Sequence, residues 1–213
     1  MVDIVNPDEV VTQALLREVD LTPFGFKGSL ALITLDNGMD HTRPNTFGPQ
    51  SLQALDTAID QVEKSSSLAI AITGKPFIFA AGADLSALAF LKDKNQAIQI
   101  GQLGHAVFRK LTDSKKPTFA FVNGLALGGG LEVALHSKYR TLATTAFTAL
   151  PECFLGLVPG WGGATILPKL IGPEKAVQVI IANPLNNNQM LKAKEAAAIG
   201  MVDEVYEPVE FLE

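Results

Sequence analysis

A chain of 213 residues, 47% hydrophobic and 18% charged, can bury a core of its own, so disorder is not its expected state. Its formal charge of -5 gives nucleic acid no global basic surface, and no apolar run approaches the ~20 residues that cross a bilayer. The lone Cys153 cannot form an internal disulfide, and the opening MVDIVNPDEVV has neither a basic nor an apolar signal region, so a cytoplasmic address is expected.

Residues 1–28 carry a weak pattern, with Val10–Val19 extended or weakly helical, and read as an N-terminal arm or a first hairpin strand. From Leu30 the pattern sharpens: LALITL, LAIAIT at 68–73 and TFAFV at 118–122 are apolar runs of strand length. Pro49 suits a first helical turn, and Leu52, Leu55, Ile59 and Val62 then recur on one face. A second helix is expected over 95–112, with Leu103, Val107 and Leu111 on one side. Strand candidates at 140–143 and 146–148 precede helix candidates at 162–170, 174–182 and 189–199, separated by the breakers IGP and ANPLNNN. Strands alternating with helices predict an α/β class.

Several segments look built for chemistry. In FAAGADL, residues 79–85, small side chains let another molecule approach the backbone amides, although a tight loop packed on a helix would read the same. In VNGLALGGGLEVAL, residues 122–135, three glycines precede a helix whose unpaired N-terminal amides suit a carbonyl oxygen gaining negative charge. Val133 stands where a dinucleotide fingerprint needs its third glycine, and no phosphate-loop Lys-Ser or Lys-Thr pair follows.

Glu132 falls in the first turn of that helix, where an acidic residue is favoured for electrostatic reasons alone. Glu152, between Pro151 and the apolar Cys153, Phe154 and Leu155, risks desolvation, which raises a carboxyl pKa and makes it a candidate proton shuttle. His41, His105 and His136 have no metal-ligand spacing, and no metal site is expected. Trp161, between two glycines, lines an acyl pocket or fills core space. Lys27, Arg43, Lys75, Lys92 and Lys94 are phosphate-contact candidates or simply solvated cations.

Taken together, FAAGADL, VNGLALGGGLEVAL, PECFLGLVPGWGG and the trailing AAAIGMVDEV resemble, in order, the segments of the crotonase, or enoyl-CoA hydratase/isomerase, superfamily. The resemblance runs from about Leu30 to Val205. It implies a spiral of repeated strand-strand-helix units, with residues 29–213 as the catalytic domain and the family's usual C-terminal helices missing. It also implies an oxyanion hole formed by the amides of Ala81 and Gly129, with Ala81, Gly82, Ala83, Asp84 and Gly129 lining the acyl-CoA site. Glu132 and Glu152 match the glutamate pair of true hydratases.

The implied activity is hydration of trans-2-enoyl-CoA in fatty-acid β-oxidation, with coenzyme A as part of the substrate and no separate cofactor. The alternatives are isomerisation of 3-enoyl-CoA or a non-catalytic acyl-CoA-binding scaffold. A homotrimer or dimer of trimers is the family's expected assembly, with no nucleic acid or membrane partner. LDNGMDHTRPNTFG, residues 35–48, resembles hydratase domains fused to dehydrogenases and implies a larger bifunctional parent.

Overall fold

The computed structural model describes residues 8–86 and 93–210. Two sheets and a set of helices wind in a repeating path. The larger sheet begins with β1 (Gln13–Asp20), which pairs antiparallel with β2 (Ser29–Asp36) as a hairpin. It continues in parallel through β3 (Ala69–Gly74), β5 (Thr118–Val122), β7 (Tyr139–Ala143) and β10 (Glu204–Tyr206). The smaller sheet takes a short strand from each successive turn of the path: β4 (Ile78–Ala80), β6 (Leu125–Leu127) and β8 (Phe147–Ala149) run parallel, and β9 (Leu191–Lys192) closes it antiparallel to β8.

The helices complete the repeats. After α1 (Pro49–Lys64), β3 and β4 lead to α2 (Lys94–Asp113), β5 and β6 to α3 (Gly129–His136), and β7 and β8 to α4 (Gly163–Ile171). This is the strand-strand-helix spiral that the resemblance implied. The apolar stripe of α1 is buried as its spacing required: Leu52, Leu55, Ile59 and Val62 are sealed from solvent. They pack beside Ile33, Leu35, Ile70 and Ile72 from β2 and β3 in one continuous core.

The C-terminal third differs in detail from expectation. Gly172, at φ 84°, does end α4, and α5 (Pro173–Val177) follows it. ANPLNNN does not break the chain at its start, because the backbone passes through a π-turn at 178–182 directly into α6 (Asn183–Leu185). The break comes at Asn187 and Asn188, at φ 52° and 56°, a conformation asparagine tolerates better than most residues. The helix expected over 189–199 shrinks to α7 (Ala193–Ala198), because 191–192 supply the edge of the smaller sheet.

One contact fixes where the spiral closes on the site. A methyl built on Gly130 would stand 2.0 Å from the Ala80 carbonyl oxygen, so α3 rests with its backbone directly on β4. Gly130→Ala should therefore force the two elements apart. We expect a destabilisation of about 1–3 kcal/mol or more, read as a lower chemical-denaturation midpoint. A variant with unchanged midpoint and slope would show that the contact yields without cost.

Candidate active site

The site forms where the loop after β4 meets the N-terminus of α3. Residues 81–84 run beside Phe47 as an isolated parallel bridge between Phe47 and Ala83. The Phe47 N–H donates to Gly82 O at 2.9 Å and the Asp84 N–H to Phe47 O at 3.0 Å. The Ala83 N–H therefore points away from Phe47, as strand alternation demands. Ala81 cannot serve as the expected oxyanion donor, because its N–H donates to the Asn45 carbonyl at 2.8 Å. Asn45 is fully buried and its side-chain amide also ties Leu35 O to Phe79 O, so this anchor is a fixed part of the frame.

The three glycines heading α3 have three different reasons to be there. Gly128 takes φ 50° as the residue preceding the helix, and Gly130 makes the close approach to β4 described above. Gly129 meets the Trp161 ring, which lies 2.6 Å from where a side chain would begin. As the first residue of α3, Gly129 has an N–H with no acceptor inside the helix. A methyl on Gly129 would lie 3.6 Å from the Ala83 nitrogen, and one on Gly82 would lie 3.6 Å from the Gly129 nitrogen. Two uncommitted amides, those of Ala83 and Gly129, therefore sit side by side.

Both expected glutamates come to this place. Glu132 is 2% exposed, and its Oε1 accepts from the Trp161 N–H at 2.8 Å and the Gly163 N–H at 2.9 Å. Its Oε2 has no hydrogen-bond partner among the described residues. Burial pushes its pKa up, opposed by the two amide bonds. Glu152 lies in a 3-10 turn over 151–155, with Oε1 2.7 Å from where a methyl on Gly128 would stand. Its Oε2 is buried with no partner. Burial, reinforced by the nearby Glu132 charge, raises the Glu152 pKa to about 7.

The source of that desolvation is not the one its sequence neighbours suggest. Phe154 and Leu155 are exposed, at 60% and 49%. It is the placement of the Glu152 carboxyl against the head of α3 that removes it from water.

Trp161 resolves as part of the core. It is buried, and its ring lies between Gly129 and Gly104 of α2, edge-on to Phe47 and Phe108 with centroids 6.4 and 5.4 Å away. It thus forms a wall beside Gly129. The Lys75 ammonium is committed elsewhere: it donates to Asn37 and to the carbonyls of Met39, Asp40 and Arg43, organising the 37–43 loop, and is unsuited to phosphate. Lys92 lies outside the described residues. Among the described residues no cluster of three metal-binding side chains forms, and no helix is long and apolar enough to cross a membrane. From the sequence, Ala83 stands only among the residues lining the acyl-CoA site, His136 only as a histidine without metal-ligand spacing, and Asn45 is not singled out, because their places depend on which backbone groups are already bonded.

The family model for enoyl-CoA hydratase/isomerase matches residues 25–213. The chain belongs to that family. Among its relatives is the short-chain-enoyl-CoA hydratase of Clostridium acetobutylicum, 37% identical over 195 residues that cover 87% of this chain and 69% of the relative. The fatty acid oxidation complex subunit alpha of Shewanella frigidimarina is 35% identical over 182 residues, 83% of this chain but 24% of that longer protein. The crystal structure of enoyl-CoA hydratase from Thermoplasma volcanium superposes with a TM-score of 0.78 at 30% identity, covering 92% of this chain and 73% of the other. The crotonase-type fold is thus shared with solved members of the enoyl-CoA hydratase/isomerase family.

Proposed function

We propose that the chain adds water across the double bond of trans-2-enoyl-CoA thioesters to give 3-hydroxyacyl-CoA. The observation that carries this reading is the pair of carboxyls, both pushed up in pKa, Glu132 buried and Glu152 with a buried Oε2 that has no partner, beside the two uncommitted amides. The Glu132 charge adds to the burial that raises the Glu152 pKa to about 7, so Glu152 is the carboxyl poised to hold a proton near neutral pH.

With Glu152 protonated and Glu132 ionised, the balance closes. Glu132 takes a proton from water as its oxygen bonds to the β-carbon. Electron density moves through the α-carbon onto the thioester oxygen, and Glu152 delivers its proton to the α-carbon. One proton enters the pair and one leaves it, so only exchange between the carboxyls is needed to reset the site. The amides of Ala83 and Gly129 stabilise the enolate-like charge on the thioester oxygen. Removing one such donor typically costs about 3–4 kcal/mol of activation free energy.

Coenzyme A enters only as part of the substrate, with residues 82–84 lining its approach. The relation to a fatty acid oxidation complex subunit supports a place in β-oxidation and a larger multifunctional context. Two measurements test the reading. In a complex with an unreactive acyl-CoA analogue, the thioester oxygen should lie about 2.7–3.1 Å from the Ala83 and Gly129 nitrogens, with Ala81 still bonded to Asn45. An oxygen held by any other pair of donors rejects this oxyanion hole. In a spectrophotometric assay, crotonyl-CoA should lose its enoyl absorbance; turnover confined to 3-enoyl-CoA would make the chain an isomerase, and binding without turnover a scaffold.

A further inference from the structure

His136 ends α3, four residues beyond Glu132 and on the same side of the helix, and is 4% exposed. Its ring joins two other elements. Nε2 lies 2.8 Å from the Trp161 carbonyl oxygen, and Nδ1 lies 2.8 Å from the Thr112 hydroxyl of α2. A carbonyl can only accept, so Nε2 carries the proton and Nδ1 is left to accept from Thr112. Burial pushes the imidazole pKa down, which keeps this neutral tautomer at physiological pH. His105, Arg109 and Asp113, all on α2, are the charged or titratable groups that influence it.

The partner carbonyl belongs to the turn that holds Glu132. The Trp161 and Gly163 N–H groups both donate to Glu132 Oε1, while the Trp161 C=O accepts from His136. Two side chains of one helix thus hold the same short turn, one through its donors and one through its acceptor. The fit is close: a methyl on Gly162 would stand 2.4 Å from Nε2, and Gly162 itself sits at φ 125°. Without the imidazole, the buried Trp161 carbonyl has no partner, and the glycine-flanked peptide can rotate and carry the Gly163 N–H off the carboxylate.

We propose that His136 is a positioning residue for Glu132, acting through the Trp161–Gly163 turn to aim the carboxylate at its water. The inference rests on the reading of Glu132 as the water-activating group. Misplacing a catalytic group by about 1 Å can cost up to ~10²-fold in rate, so an effect on turnover with little effect on binding is expected.

The test compares His136→Met, which keeps length and removes the donor, with His136→Gln, whose amide nitrogen can reach the Nε2 position. The first should lower kcat for crotonyl-CoA about 10- to 30-fold with KM within about 2-fold, and the second should stay within about 3-fold of the parent. In a Glu132→Gln background, His136→Met should add less than about a 2-fold loss, because the group it positions is gone. Should His136→Met fail to fold, Thr112→Val, which removes the donor to Nδ1, takes its place, with a fall in kcat that again vanishes beside Glu132→Gln. Equal losses in the Met and Gln variants, an unchanged kcat, or a full loss persisting without Glu132 would each overturn the inference. A fully active Glu132→Gln enzyme would instead remove the hydratase reading beneath it.

Discussion

Glu132→Gln and Glu152→Gln should each lower crotonyl-CoA turnover by roughly 10²- to 10⁴-fold while leaving the fold intact. The substitution suits both sites. The Glu132 Oε1 that accepts from Trp161 and Gly163 has a counterpart in the glutamine carbonyl, so the turn keeps its two bonds and only the partnerless oxygen becomes an amide. At Glu152 the buried, unbonded Oε2 becomes an NH2 group that can neither take nor give the α-carbon proton. Because both residues act on one addition, the double variant should lose much less than the product of the two single losses. Steady-state kinetics on crotonyl-CoA and a 3-enoyl-CoA, with circular dichroism to check folding, decide the matter. Intact hydration in Glu132→Gln, together with loss of isomerisation alone in Glu152→Gln, would replace the hydratase reading with a one-carboxylate isomerase.

The large elements were legible because each is long enough for its burial to be written as a period. The α1 stripe of Leu52, Leu55, Ile59 and Val62 and the TFAFV run of β5 required no knowledge of their partners. Of the smaller sheet only β8 was legible, as the strand candidate at 146–148. β4 and β6 there, and β10 at the edge of the larger sheet, are three residues each, too short for an alternation, and β9 has two. They exist because the spiral brings their backbones together, which is a property of tertiary structure and leaves little mark on side-chain choice.

The site divides along the same line. Glu132, Glu152 and Gly129 stood out because side-chain chemistry or a glycine run marked them. For the second amide donor the resemblance pointed to Ala81, whose N–H is committed to Asn45, and not to Ala83, the donor proposed above, because small side chains identify an approachable loop but not which of its N–H groups is free. That depends on Asn45 and Phe47, from another turn of the spiral, which take the N–H groups of Ala81 and Asp84. His136 was passed over for a related reason. A histidine near a helix end is usually unremarkable, and its significance here lies in the Trp161 carbonyl, a backbone atom that no residue pattern displays.

Glu152→Gln should also make the protein more stable at pH 8 while leaving stability near pH 4.5 unchanged. The sign follows from the raised pKa, about 7 in the fold against the ordinary 4.5. Below 4.5 the carboxyl is protonated whether the chain is folded or not, and it costs nothing. As pH rises from 4.5 to about 7 the unfolded chain releases the proton while the folded one keeps it, so stability falls through that window and levels off above it. The full shift sets an upper limit of about 3 kcal/mol, and partial solvent access brings the expected difference at pH 8 to about 1–3 kcal/mol. For a chain of this size that is about 2–4 °C in Tm per kcal/mol. Since the Glu132 charge is one cause of the shift, Glu132→Gln should lower the pH at which the loss levels off and make the loss smaller, while its onset near 4.5 stays in place. Thermal melts of the parent and both variants between pH 4.5 and 8 measure this directly. A difference between parent and Glu152→Gln that stays constant across the range would mean that Glu152 ionises normally in the fold, and with it would go the physical basis for its role as the acid at the α-carbon.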